Sequence, residues 1–354
     1  MRVVIAPDKF KGTFAAREVA GAMAQGVRRV WPDAEIALIP MADGGDGTLA
    51  ALVTAGWSEE TGCDHTYVSQ GSLVCVELAS VCGLVKSREA GMSPWQASTR
   101  ELGELMRCTV QGGAKDLWVA LGGSASTEGG VGMLQGLGFA VLDASGAEVP
   151  PGVPGLLAAH RIGEAPAWLE EVNISVLCDV LVPLLGPSGA AQFFGPRKGL
   201  SASEVAEAEN AMLSWSELLA ECFGVEVADI PGAGAAGGTA AALIALGAQV
   251  KSGAEAIAQA VDLPARLQHA NLVITGEGSF DPSSMVGKVA GLVAGHSLSP
   301  GARVLIVTGW SETGFQLEGI AHRVDHLSPE RELSLVDIAS LVQEFCEGMA
   351  AESG

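Results

Sequence analysis

Leu117-Trp118-Val119-Ala120-Leu121 runs directly into Gly122-Gly123-Ser124-Ala125-Ser126-Thr127-Glu128-Gly129-Gly130-Val131-Gly132-Met133. An unbroken apolar run of this length reads as a strand buried on both faces, the habit of parallel sheets covered by helices. The small residues that follow leave backbone N–H groups able to surround phosphate oxygens. Hydroxyl donors lie beside them and a helix N-terminus beneath. Gly122, Gly123, Ser124, Ser126, Gly129 and Gly130 are therefore candidate phosphate-binding residues. The stretch falls one glycine short of a nucleophile elbow, but none of the six histidines offers a convincing partner, which tells against a serine hydrolase.

The same grammar repeats outward. Val/Ile/Leu-rich runs at Arg2 to Ala6, Glu35 to Pro40, Ile174 to Cys178, Leu272 to Thr275 and Val304 to Thr308 each end in a polar or glycine-rich loop. Helix-like stretches lie among them, notably Ala15 to Val30, Ser203 to Phe223 and Leu335 to Met349. Alternation of this kind predicts an α/β protein with largely parallel sheets. A length of 354 residues exceeds what one core usually organises and predicts two domains.

Composition narrows the function classes. Apolar residues at 48% with charged residues at 17% exclude a disordered chain. No run approaches the roughly 20 apolar residues needed to span a bilayer. A formal charge of −21 opposes nucleic acid and anionic membrane surfaces. Seven cysteines without a Cys-x-x-Cys pair fit a reduced, cytoplasmic protein. Any nucleotide site must reverse the acidic field locally, with backbone N–H groups, lysines and a metal ion.

Loops beyond strand ends are where α/β enzymes place their chemistry. The first, Pro7 to Thr13, carries Asp8, Lys9 and Lys11 where a helix begins. The second, Met41 to Thr48, sets Asp43 and Asp46 among three glycines, so that Asp43 can hold Mg²⁺ or a substrate hydroxyl. Asp179 stands just past a strand, followed by Arg197 and Lys198. It is a candidate base for an acceptor hydroxyl. The loop Thr275 to Asp281 offers Glu277 and Asp281 as Mg²⁺ ligands, and Lys288 downstream can meet a phosphate.

Three patterns lack their required context. Gly232 to Gly237 fits G-x-G-x-x-G, but Pro231 precedes it instead of a buried strand. His322 and His326 are spaced for one helix face but lack the glutamate of a zinc protease. Around Gly287-Lys288, Pro282 and Val289 stand where a P-loop needs Gly and Ser or Thr.

Taken in order, PDKFKGT, MADGGDGT, LGGSASTEGGVGMLQGLG, CDV with LLGPSGAAQFFGPRKG, PGAGAAGG, and ITGEGSFD with GK resemble the type I bacterial glycerate kinase family over nearly the whole chain. The resemblance implies ATP- and Mg²⁺-dependent phosphorylation of D-glycerate, at the 2-hydroxyl or the 3-hydroxyl. It also implies two α/β domains: a flavodoxin-like one over 76–285, and a restriction-endonuclease-like one assembled from 1–75 and 286–354. Asp8, Lys11, Asp43, Ser124, Asp179, Glu277, Asp281 and Lys288 match the family's motif positions. On this reading Asp8, Asp43, Asp179 and Lys11 are catalytic, with the base open among the three aspartates. Lys288 joins the Gly122 to Gly130 loop on ATP, Lys9 and Lys198 take the substrate, and Glu277 and Asp281 take the metal. Val182, Arg100 and Glu101 depart from the family pattern, as do Ser283 and Ser284. They leave open another acceptor, such as erythronate, or a non-catalytic sensor on the same scaffold.

Overall fold

The computed structural model describes residues 1–10, 12–280, 284, 287–297, 302–311, 322–326 and 333–353. Lys11 and Asp281 lie outside these. The chain divides into two compact units, one made of Met1–Asp43, Ala50–Gly56 and Ala254–Gly354, the other of Gly44–Leu49 and Trp57–Gly253.

In chain order the strands are β1 (Arg2–Ile5), β2 (Glu35–Leu38), β3 (Ser58–Gly62), β4 (His65–Gln70), β5 (Leu73–Glu77), β6 (Asp116–Ala120), β7 (Val141–Leu142), β8 (Arg161–Ile162) and β9 (Asn173–Leu177). They continue with β10 (Gln249–Lys251), β11 (Leu272–Phe280), β12 (Arg303–Ser311) and β13 (His322–His326).

The end-built unit holds a sheet of order β13-β12-β11-β1-β2, every pairing parallel. Numbered within the unit, this is 2-1-3-4-5, the flavodoxin-like doubly wound order. This order belongs to the unit made from both chain ends. Val3, Ile5, Leu272, Ile274, Leu305 and Val307 are buried beneath helices Ala16–Val30 and Leu335–Ser353. Each such side chain contributes on the order of 1.5–3 kcal/mol on burial. The two helices cross closely at Gly26, where a Cβ would sit 2.4 Å from the Ala339 carbonyl oxygen.

The central unit carries a mixed sheet of order β10-β9-β6-β5-β4-β3. β5, β6, β9 and β10 pair in parallel, as expected of a largely parallel sheet, and the antiparallel pairings β5–β4 and β4–β3 extend it at one edge. Cys63 and Asp64 make the β3–β4 turn with φ of 48° and 62°. Such two-residue turns usually announce themselves as Asn-Gly, and this one does not. β7 and β8 form a separate ribbon.

These pairings set the unit boundaries. β3 to β5 are bound to β6, and β11 to β1, so the divisions fall at Asp43/Gly44, Leu49/Ala50, Gly56/Trp57 and Gly253/Ala254 instead of at 75 and 285. The expected loop from Thr275 is likewise strand, since β11 stays paired to β12 through Phe280. Gly276 makes that close pairing possible, as a Cβ there would meet the Val307 carbonyl oxygen at 2.2 Å. His322 and His326 lie on β13, not on a helix.

Candidate active site

In the end-built unit the chain changes direction between β1 and β11, the switch point at which open α/β sheets bind ligands. Beyond β1, the Asp8 amide donates to the Gly276 carbonyl at 2.9 Å, and the Met41 amide donates to the Pro7 carbonyl at 2.9 Å. The first two loops and the far half of β11 are thereby held together. Asp8 is 9% exposed, and its Oδ1 accepts from the Lys9 amide at 2.7 Å. Burial, then the negative charges of Asp43 and Glu277, push its carboxyl up to about 8, against the pull of Lys9. Lys9 Nζ lies 3.9 Å from Asp43 Oδ1. Glu277, opposite Thr308 on β12, is half-buried. Lys288 precedes helix Val289–His296 as its N-cap. The structure thus brings Asp8, Lys9, Asp43 and Glu277 together at the switch point.

In the central unit the glycine and serine loop leaves β6. The Gly122 amide donates to the Gly44 carbonyl at 3.1 Å, and a Cβ on Gly122 would fall 2.4 Å from the Gly45 Cα. Gly123 is exposed with φ 81°, and the Ser124 and Ser126 hydroxyls are 3.0 Å apart. The Ser126 amide donates to Ser124 Oγ at 3.2 Å. Lys198 Nζ donates to the Ser126 carbonyl. Gly129 and Gly130 turn the other way. The Gly129 amide donates to the Gly237 carbonyl at 2.9 Å, its carbonyl accepts from Trp215 Nε1 at 2.9 Å, and Gly130 is buried against Thr239 and Ala242. Asp179 Oδ1 accepts from the Gly253 amide at 2.9 Å where helix Gly253–Ala260 starts.

The glycine run after Pro231 is packing material. A Cβ on Gly237 would meet the Ser126 carbonyl oxygen at 2.1 Å, and one on Gly234 the Pro183 carbonyl oxygen at 2.2 Å. The departures from the family pattern are also met locally. The Val182 carbonyl accepts from the Gly234 amide at 2.9 Å. Arg100 pairs with Glu104 and Glu148 at 3.3 Å each, and Glu101 with His65 at 3.4 Å.

Two carboxylates matter that the motifs alone did not assign. Glu77, ending β5 and 4% exposed, accepts from the Leu49 amide at 3.1 Å, which anchors the start of helix Thr48–Thr54. Its signal was a carboxylate just past the apolar run Leu73 to Val76, the same strand-end signal that marked Asp179. Glu128, fully buried, accepts from the Thr99 amide and hydroxyl at 2.5 and 2.7 Å, the Ser98 hydroxyl at 3.2 Å and the Gly152 amide at 2.9 Å. Burial raises its pKa, and those bonds resist the rise. One carboxylate in an otherwise small, uncharged loop was the clue.

A doubly wound unit with clustered carboxylates at its switch point, and a second α/β unit with a serine and glycine loop at its strand ends, define an α/β enzyme of the kinase class. A family model described as the glycerate kinase family matches residues 3–335. Glycerate 2-kinase of Escherichia coli K12 is 38% identical over 305 residues, covering 82% of this chain and 80% of that protein. Glycerate kinase of Bacillus subtilis 168 is 35% identical over 324 residues, covering 87% and 85%. A crystal structure from Salmonella typhimurium LT2, assigned as glycerate kinase 2, superposes with a TM-score of 0.79 at 33% identity, covering 100% of this chain and 99% of that one. The chain belongs to the glycerate kinase family.

Proposed function

We propose that this kinase transfers the γ-phosphoryl group of ATP to the 2-hydroxyl of D-glycerate, giving 2-phosphoglycerate and ADP. The observation that carries the reading is the meeting of Asp8, Asp43 and Glu277 at the switch point of the end-built unit. Position 2 is favoured because the Escherichia coli relative is named a glycerate 2-kinase.

Asp8 is the base we assign. Burial and the charges of Asp43 and Glu277 favour its protonated form in the empty site, and a cation held beside Glu277 would lower its pKa and free the carboxylate to accept the hydroxyl proton. As that proton leaves, the hydroxyl oxygen bonds to the γ-phosphorus and the bond to the β,γ-bridging oxygen breaks in line. Asp43, 3.9 Å from Lys9, orients that ammonium, which is placed for the substrate carboxylate. Asp179, already engaged by the Gly253 amide, orders its own loop. Gly122 to Ser126 offer the hydroxyls and backbone for the nucleotide phosphates, while Gly129 and Gly130 set the buried base of that loop.

The donor set fits Mg²⁺. Among the described residues no three His, Cys, Asp or Glu side chains are arranged as a ready metal cluster. Mg²⁺ in kinases needs none, since it binds through one or two carboxylates plus waters and substrate phosphates. Glu277 is the described candidate ligand, with Asp281 beside it in sequence, and mutual repulsion among Asp8, Asp43 and Glu277 is what a cation relieves. When bound, the ion would offset charge on the phosphoryl oxygens.

Purified protein with ATP, Mg²⁺ and D-glycerate should form a phosphoglycerate whose phosphorus couples to the single C2 proton. Coupling to the C3 protons would move the assignment to the 3-hydroxyl, and no product above a no-enzyme control would overturn the reading.

A further inference from the structure

Lys198 closes helix Ala190–Lys198 in the central unit and keeps only 8% of its surface exposed. Its Nζ donates to the Ser126 carbonyl, and it has no other hydrogen bond or ion pair among the described residues. An ammonium carries three donors, so two are unfilled. The neighbouring Thr127 hydroxyl is also buried and has no hydrogen-bond partner among the described residues. Lys198 thus has unfilled donors at the Ser126 carbonyl, the next residue in the chain carries an unsatisfied buried hydroxyl, and buried polar groups are normally satisfied.

Among the described residues no carboxylate pairs with Lys198. Cys82, ending helix Leu78–Cys82, is the titratable group that acts on Lys198. Glu128 from the loop and Lys86 from helix Leu84–Glu89 act in turn on Cys82, and the Glu128 carboxylate is taken up by Thr99, Ser98 and Gly152. Arg197, next on the same helix, lies over the Phe193 ring at 3.9 Å. Phe194 is the ring nearest Lys198 Nζ, at 5.9 Å. Burial without a carboxylate pulls the Lys198 pKa down to about 7.

We propose that Lys198 is the receiving cation of an oxyanion subsite in the central unit, with the Thr127 hydroxyl as a second donor, filled by a carboxylate or phosphoryl oxygen. This rests on the kinase reading, because the hydroxy acid and the nucleotide both carry such oxygens. Binding there is coupled to protonation. Burial favours the neutral amine of Lys198 when no oxyanion is bound. An incoming oxyanion favours the ammonium, so a proton is taken from solvent as the anion binds.

Calorimetric titration of the full chain with inorganic phosphate, D-glycerate and a non-hydrolysable ATP analogue, each in two buffers of different ionisation heat, tests this. At least one probe should bind with proton uptake approaching one per site, and which probe does so identifies the source of the oxyanion. Lys198→Met should abolish the uptake and weaken that probe about tenfold or more. Lys198→Arg, permanently charged, should bind without uptake. Equal affinity and equal uptake in Lys198→Met, or no uptake with any probe, overturns the inference. Should Lys198→Met fail to fold, wild-type protein carrying ¹³Cε-lysine serves instead. One lysine resonance should titrate near neutrality and move to the ammonium position when the probe is added, and absence of such a resonance is equally fatal. Turnover separates this from the kinase reading. Phosphoglycerate formation without proton-linked binding sinks the inference alone, whereas proton-linked binding without phosphoglycerate sinks the kinase reading alone.

Discussion

In the end-built unit Asp43, Glu277 and Lys9 all act on the buried Asp8, and Lys9 pairs with Asp43. In the central unit the serine and glycine loop meets a buried ammonium, Lys198, which has no carboxylate partner among the described residues. In the first, burial and then the charges of Asp43 and Glu277 push the Asp8 carboxyl up to about 8. In the second, burial pulls the Lys198 pKa down to about 7. The difference is one of sign: acids gather in one unit, and a buried lysine lies in the other. In the proposed reaction a metal ion would answer the acids and an oxyanion the lysine. A lysine so placed would let a chain of net charge −21 accept an anionic substrate.

The comparison breaks first at Asp8. Asp8→Asn keeps the side chain's size but removes its capacity to take the hydroxyl proton, and kcat should fall by roughly 10²–10⁴. Initial-rate assays of phosphoglycerate formation decide it. Near-wild-type turnover would strip the carboxylate cluster of its catalytic role and return the base to Asp43 or Asp179.

Glu128 tests whether the central loop depends on its own buried acid. Glu128→Ala orphans the amides of Thr99 and Gly152, and each buried donor left unpaired costs about 1–3 kcal/mol. Urea denaturation should show that loss of stability. An unchanged midpoint would mean that the loop is held without the network.

How much of this could be read from the sequence differs between the units. The strands under Asp8 and Gly122 declared themselves because each is an apolar run buried on both faces, and their loops followed at once. The antiparallel β3 and β4 did not: β3 is mostly exposed, its residues Ser58-Glu59-Glu60-Thr61-Gly62 carry no apolar signal, and its turn uses Cys63-Asp64. β11 looked shorter than it is because Gly276 and Gly278 read as loop, although Gly276 is what lets β12 pair closely. The building of one sheet from both chain ends has the same root. Strand order is a long-range property, and nothing local in β1 says that its neighbour is β11, some 270 residues away in register. Among site residues, type and position were legible, but burial was not. Lys198 read as one of two cations after a strand, and only its packing reveals it to be nearly sealed.

Gly122→Ala sharpens the comparison on the loop itself. Its new Cβ would lie 2.4 Å from the Gly45 Cα, a backbone atom that cannot swing aside, so overpacking of about 1–3 kcal/mol is expected. Thermal unfolding with and without a nucleotide analogue measures both consequences, a lowered Tm and a smaller ligand-induced rise. Unaltered values would show that Gly122 needs no such closeness.

The smallest effect is the most discriminating, because the two units have opposite signs in their dependence on pH. An unfolded lysine keeps its proton to about 10.5, whereas folded Lys198 loses it above about 7. Between those values the unfolded state binds more protons, so this group makes stability rise with pH. Asp8 does the reverse: its folded carboxyl titrates near 8 against an ordinary 3.8, so the folded state holds the extra proton and stability falls as pH rises between them. Wild-type stability alone mixes the two. Subtracting Lys198→Met isolates the lysine, and the difference, wild type minus variant, should climb by at most about 1.4 kcal/mol per pH unit from neutrality upward. Urea midpoints at three pH values suffice. A flat difference would mean that Lys198 is fully charged in the folded protein, and the charge contrast between the units would then rest on the carboxylates alone.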